Sequence, residues 1–355
     1  MLDILKEKID REYYTLSEED ESRVSKIHKK SLIIDALTVC KFTDSQLQRM
    51  LDVGITAINK SVDANNYFFY DFVTKGITKI YSNLNVFRDK IFLATTANDI
   101  IKAKKQGQIA CFLGLQNSLP IENKLSLLEV LYRLGIRIIQ ITYNSANLIG
   151  FGGGESRDFG LTDFGKDVIR EMNRLGMIVD LGHVGYRTTL EAIEFSNAPA
   201  FVSHANVRKL ADSPRNKSDD IIKAVAQTGG VINVYDSCFI REDDRDKTPE
   251  KMKGSIEDFI KHINYIVDLV GVDHVGIGLD LSEEQDAKEI GKVLLMRKKY
   301  NHLYPTLRIR PKGLQSYSDF PNITRGLLKE GYSDNDIQKI LGLNNLRVYR
   351  KILKD

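Results

Sequence analysis

Short apolar runs alternate with amphipathic stretches along most of this chain. The runs fall at Leu32–Asp35, Gly54–Asn59, Ile91–Ala94, Ile109–Gln116, Ile136–Tyr143, Met177–Leu181, Ala200–Val202, Gly230–Tyr235 and Val275–Leu279. Each is too short for a helix and rich in Ile, Val or Leu, which predicts buried strands. Helical spacing appears between them, at Asp44–Leu51, Tyr67–Phe87, Lys124–Leu134 and Arg187–Ser196. The stretch before Met177 carries clear start and stop signals. Thr162 or Asp163 can cap it, Phe164, Val168, Ile169 and Met172 form an apolar stripe, and Gly176 ends it. Residues 1–30 predict a charged amino-terminal helix. Ser333–Leu341, with Ser333 and Asp336 at capping-box spacing, and a stretch near Leu346–Leu353 predict two closing helices.

Strands that alternate with helices must run parallel, and eight such units close a (β/α)8 TIM barrel. Nine runs are present, and Ile91–Ala94, the weakest, is taken as an extra piece. The competing α/β architecture, an open doubly wound sheet, lacks its phosphate-binding turn after the first strand. The 355 residues fit one barrel domain, 1–355. It has an amino-terminal extension over about 1–30 and a long segment, about 282–318, after the last strand. That segment holds a predicted helix at Ala287–Lys299, and its length suggests an active-site cover or a partner surface.

Composition narrows the function classes. Lys and Arg number 51 against 48 Asp and Glu, a net charge of +3, which argues against nucleic acid or membrane as partner. Cys40, Cys111 and Cys238 are odd in number and widely spaced, so no disulfide framework is expected. The amino terminus lacks an apolar run with a cleavage site, and no segment is long and apolar enough to span a bilayer. A cytoplasmic location is the expectation.

The candidate chemistry sits where strands end, because ligands gather at the carboxyl ends of parallel strands. Among six histidines, His183 follows Met177–Leu181 and His204 follows Ala200–Val202, with the helical Arg187–Ser196 between. This βαβ spacing delivers two imidazoles to one rim from neighbouring strands, a metal-site arrangement. Asp280, after the last strand, either completes a two-His, one-carboxylate set, takes a proton from an activated water, or caps a helix. Gln116, Tyr143, Asn144, Tyr235 and Asp236 end other strands. Arg215 is either a bidentate clamp for a substrate carboxylate or a surface residue. The glycines of 150–155 lack the following Lys-Ser/Thr of a phosphate loop and read as a loop over the site.

These residues resemble the membrane dipeptidase (renal dipeptidase) family. The resemblance is carried by Arg-Leu-Gly-Ile-Arg (133–137), Gly-Leu-Thr-Asp-Phe-Gly (160–165), the run 171–185 through His183, and Phe-Val-Ser-His-Ala-Asn (201–206). Pro-Arg-Asn (214–216) and Val-Gly-Ile-Gly-Leu-Asp (275–280) complete it. It implies a (β/α)8 barrel with two bridged zinc ions that hydrolyses dipeptides. By the same resemblance His183 and His204 match the ligands of one zinc, Arg215 a substrate contact, and Asp280 the proton-handling carboxylate. It also implies a homodimer.

Three departures stand out. The family's first-strand His-x-Asp is Leu37 and Val39 here, its bridging glutamate is Gln116, and a substrate-contacting histidine is Tyr143. Two divalent ions ~3.5 Å apart repel by roughly 20 kcal/mol at an effective dielectric of 20, and need bridging anions that Gln116 does not supply. One zinc at most is expected, on His183, His204 and Gln116, with Tyr143 and Asn144 beside the substrate. The leading expectation is a one-metal hydrolase for a dipeptide or related small amide. The alternatives are a barrel that binds an amino-acid-like ligand with little or no metal, and a lyase or isomerase using Tyr143 and Asp280.

Overall fold

The computed structural model describes residues 13–62, 68–236, 254–281, 283 and 310–354. Nine parallel strands appear: β1 (Ile33–Thr38), β2 (Ile55–Val62), β3 (Ile91–Leu93), β4 (Ile109–Leu115), β5 (Ile136–Gln140), β6 (Ile178–Asp180), β7 (Phe201–Val202), β8 (Val231–Val234) and β9 (Val275–Ile277). Eight of them follow the order β1-β2-β4-β5-β6-β7-β8-β9. The ring closes between its ends. Thr38 bridges Leu281, the Asp280 N–H donates to the Leu37 carbonyl at 2.8 Å, and the Val39 N–H to the Leu281 carbonyl at 3.0 Å. This is the expected (β/α)8 barrel. The Ile91 run is the extra strand: β3 pairs with Ile109–Cys111 of β4, below the point where β5 joins β4 at Leu113.

Amphipathic helices wrap the ring. They include α1 (Glu18–Lys30), α2 (Asp44–Asp52), α3 (Asp163–Leu175), α4 (Tyr186–Phe195), α5 (Asp219–Gln227), α6 (Ile256–Val270) and α7 (Asn344–Ile352). The signals read before Met177 hold. Thr162 caps α3 by accepting from the Gly165 N–H, and Gly176, at φ 78°, ends it. The long helical stretch expected before Phe87 runs from Phe69 to Val86, with a π-turn at Phe72–Ile77. The helix expected at Ala287–Lys299, most of the 282–318 segment, and Cys238 lie outside the described residues. Cys40 and Cys111 are buried free thiols.

The core has two parts. One lies between strands and outer helices. The other fills the barrel with Ile34, Phe112, Ile138, Ile178, Phe201 and Val231. The carboxyl-terminal helix α7 closes that second core: the Tyr349 ring lies 5.0 Å from Phe112 and 5.8 Å from Phe201. One end of the barrel is therefore plugged.

Above this apolar floor the interior turns polar, and the polar side chains stitch strand to strand. Asp35 of β1 accepts from the Leu279 N–H at 2.8 Å and the Leu37 N–H at 3.2 Å, and from the Tyr317 hydroxyl. Asn59 donates to the Ala36 carbonyl, Gln140 to that of Gln116, and Asn233 to that of Val202. Asp180 accepts from the Gly182 and Ser203 N–H groups at 3.0 and 2.9 Å. Gly114 and Gly276 leave room for this layer. A Cβ there would sit 2.1 Å from Asn59 Oδ1 and 2.3 Å from Asn233 Oδ1.

Burial pushes the Asp35 carboxyl up to about 7, against the pull of its three donors. Its folded value lies above its unfolded one, so its contribution to stability is full below pH ~4 and is lost as pH rises through about 7. Tyr317→Phe removes a donor that favours the ionised form. We expect a loss of about 1–3 kcal/mol, larger at pH 8 than at pH 5, in urea unfolding at both pH values. An equal loss at both would refute the assignment.

Candidate active site

Parallel strands bring their carboxyl ends to one rim, opposite the plug of α7. Gln116 follows β4, Tyr143 and Asn144 follow β5, and His183 follows β6. His204 follows β7, Tyr235 and Asp236 follow β8, and Asp280 follows β9. His183 and His204 are 3% and 0% exposed, and their Nε2 atoms face each other at 2.9 Å. The Nδ1 atoms point outward. His183 Nδ1 meets Asn144 Oδ1 at 2.7 Å, and His204 Nδ1 meets Ser203 Oγ at 2.8 Å. A carboxamide oxygen only accepts, so His183 carries its proton on Nδ1 and presents a bare Nε2. Burial holds its pKa well below the usual histidine range, aided by Arg215, His204 and Lys217. The Tyr143 ring stacks on His183, centroids 4.0 Å apart, and Tyr235 meets His204 edge-on.

Arg215 settles between its two readings: it is 1% exposed and not a surface residue. Its Nη1 donates to the Gly182 carbonyl, and its Nη2 lies 3.3 Å from His204 Nε2. Guanidinium is always a donor, so it too favours a bare Nε2 on His204. Two bare Nε2 lone pairs at this separation repel unless a cation or a proton lies between them. The glycine loop packs on this centre as expected, with the Gly153 N–H donating to the His183 carbonyl at 2.7 Å and the Gly154 N–H to the Asn144 carbonyl.

One expectation is corrected. Asp280 is half-buried, with φ 51° in the left-handed region, and its N–H is spent on barrel closure. Among the described residues no three His, Cys, Asp or Glu groups gather closely enough to hold a metal, so Asp280 does not join the imidazoles as third ligand. The reason is geometric: β9 meets β1 at the closing seam, whereas the histidines stand on β6 and β7. Asn144 turns its Oδ1 to His183 Nδ1. Sequence reading also missed Lys217, Asp180 and Ser203. Lys217 is 2% exposed, donates to the Val184 carbonyl at 3.1 Å, and is pushed down to about 7 by burial and by Arg215. Polar residues inside the apolar runs, Val-Asp-Leu and Val-Ser-His, were the available signal for the other two.

Leu37 is buried at 1% exposure and Val39 is half-buried, and neither offers a ligand atom. A single ion fits the imidazole pair, whose bare nitrogens converge. Gln116 is 5% exposed, and its buried Nε2 has no hydrogen-bond partner.

The family model for membrane dipeptidase (peptidase family M19) matches residues 43–303 and 303–354. A dipeptidase of Clonostachys rogersoniana is 31% identical over 271 residues, covering 76% of this chain and 62% of that protein. A dipeptidase of Claviceps purpurea is 27% identical over 271 residues, 76% of this chain and 57% of that one. This chain thus spans about six tenths of the length of these two relatives. The crystal structure of an amidohydrolase from Pseudomonas aeruginosa superposes with a TM-score of 0.84 at 32% identity, covering 94% of this chain and 99% of that one. With the barrel, the paired strand-end histidines and the family match along most of its length, the chain belongs to the membrane dipeptidase family, peptidase family M19.

Proposed function

We propose that this chain is a metal-dependent hydrolase of a dipeptide or related small amide, with one zinc ion rather than two. The observation that carries the reading is the 2.9 Å opposition of His183 and His204 Nε2. His183 and His204 would hold the ion, with Gln116 as the third group. When bound, it supplies Lewis-acid polarisation of the substrate carbonyl.

The chain's own residues do the rest. Arg215 offers a buried, permanent positive charge to a substrate carboxylate next to His204. Tyr143 stacks over His183 and walls off one face of the ring from water. Asp280, at the rim after β9, is the carboxylate assigned to take a proton from the attacking water. The whole chain is read as one barrel unit that forms a cytoplasmic homodimer. Among the described residues no helix is long and apolar enough to cross a membrane.

One observation favours a second reading, a barrel that binds an amino-acid-like ligand with little or no metal: Arg215 Nη2 already lies on the His204 lone pair at 3.3 Å. Metal analysis separates the two. Close to one equivalent of zinc in purified protein, lost in His183→Ala together with dipeptide hydrolysis, supports the hydrolase. Far below one equivalent, with a chelator changing nothing, supports the binder. Gln116→Ala is expected to stay within about 10–100-fold of wild-type metal affinity, as for loss of a supporting group. A complete loss would make Gln116 a principal ligand. Arg215→Lys is expected to raise KM at least about thirtyfold, from about 2 kcal/mol or more of lost binding, with a smaller change in kcat. A fall in kcat alone would count against the clamp role.

A further inference from the structure

Lys217 touches both loops that carry the imidazoles. Its backbone is fixed to the chain just past His204. The Lys217 N–H donates to the Asn206 carbonyl at 2.8 Å, and the Lys217 carbonyl accepts from the Arg208 N–H at 2.8 Å, a parallel bridge that pairs it with Val207. Its side chain crosses to the chain just past His183, where Nζ donates to the Val184 carbonyl at 3.1 Å. The residue is 2% exposed, so bulk water does not compete for these contacts.

A lysine in this place works against stability. An ammonium has three N–H donors, and among the described residues the acceptor it meets is that one carbonyl. Burying a cation with so few acceptors is unfavourable, and an apolar side chain of similar length is often neutral or better. Nor does the Val184 carbonyl need the lysine. The Thr189 hydroxyl, five residues on, already donates to it at 3.2 Å. That bond stays within the start of α4, whereas the lysine bond joins segments 33 residues apart. We infer that Lys217 is a positioning residue that braces the His183 loop against the His204 loop and so sets the spacing of the two imidazoles.

The neighbouring contacts agree with this. Asp180 ties the two loops together just before each histidine, at Gly182 and Ser203. Lys217 ties them just after, at Val184 and Asn206, so each imidazole is flanked by two cross-ties. Three successive carbonyls of the His183 loop accept from outside it: Gly182 from Arg215, His183 from the Gly153 N–H at 2.7 Å, and Val184 from Lys217. The loop is thus gripped between the glycine loop and the segment that holds Arg215 and Lys217. A Cβ on Gly153 would lie 3.1 Å from the Pro214 carbonyl oxygen and 3.2 Å from that of His183. The inference rests on the reading of the two imidazoles as the working pair. It needs no bound ion, because every cross-tie lies within the chain.

The test is Lys217→Met, which keeps the reach of the side chain and removes its donors, in full-length protein stripped of metal by a chelator. Urea unfolding is expected to give a midpoint equal to or above that of the wild type, since a buried cation is gone. Amide exchange is expected to quicken about tenfold or more at Gly153 and Gly185, whose N–H groups bind the His183 and Phe151 carbonyls. Ala94, bonded to the Cys111 carbonyl beside β3, is expected to keep its wild-type exchange. Lys217→Arg, which keeps a donor, is expected to restore Gly153 and Gly185. Unchanged exchange at both glycines in Lys217→Met would overturn the inference. So would a variant that fails to fold, or one whose midpoint drops while Ala94 quickens with the rest, because Lys217 would then be a structural residue. Zinc affinity, measured by competition with a chromophoric chelator, is expected to fall about 10–100-fold in Lys217→Met. An affinity equal to that of a zinc-binding wild type would also overturn the positioning role. Should the wild type bind no zinc while the exchange pattern holds, the hydrolase reading falls and the brace stands.

Discussion

Buried carboxyl groups that accept from two strands at once hold this barrel's rim in shape. β6, β7 and β9 have three, two and three residues. Ladder hydrogen bonds between such short strands are few, and β6 pairs with β7 at a single register position, Asp180 with Phe201. Asp180 accepts one backbone N–H from each side of that junction, Gly182 and Ser203, and Asp35 does the same with Leu37 and Leu279 where β9 meets β1. A carboxylate taken out of water needs donors to offset its desolvation, and unpaired backbone N–H groups need acceptors. Each deficit answers the other. The geometry of the histidine pair depends on this arrangement, since both imidazole-bearing loops hang from one oxygen of Asp180.

Charge divides the rim into unlike halves. Around the imidazoles lie the buried cations Arg215 and Lys217, and both depress protonation of His183. Toward the closing seam lie Leu37, the buried Asp35–Tyr317 pair, and Asp236 paired with Arg310. Leu37 offers no ligand atom there, and the Asp236 carboxylate is matched by a guanidinium. The half with bare imidazole nitrogens has the opposite character: it has lone pairs to give and little negative charge of its own. The one-zinc proposal rests on this contrast.

Much of this was legible in the chain. The apolar runs placed all nine strands, and the weakness of Ile91–Ala94 matched its place outside the ring. Thr162 and Gly176 bounded their helix as read, because capping is a local exchange of hydrogen bonds that neighbours along the chain decide. His183 and His204 were found for a topological reason: a residue directly after a parallel strand must lie on the same rim as every other such residue. The family resemblance was legible for the same local reason, in contiguous stretches such as 171–185.

What the chain could not show was distance around the ring. Asp280 and the histidines all end strands, yet β9 and the β6–β7 pair occupy different arcs, so the ligand role, one of the three its position allowed, does not fall to Asp280. Arg215 reads in sequence as an exposed cation beside a proline, and only the folding of its loop against Gly182 buries it. Asn144 reads as a rim residue beside substrate, and its bond to the His183 ring appears only in the fold. Alternation of apolar and polar positions by itself determined the fold and the side of the barrel on which chemistry lies, because each is encoded by neighbours in sequence. Which strand-end groups meet, and which nitrogen of each imidazole is left bare, was decided only by tertiary closure, because those contacts join residues brought together by the curvature of the barrel and not by their spacing along the chain.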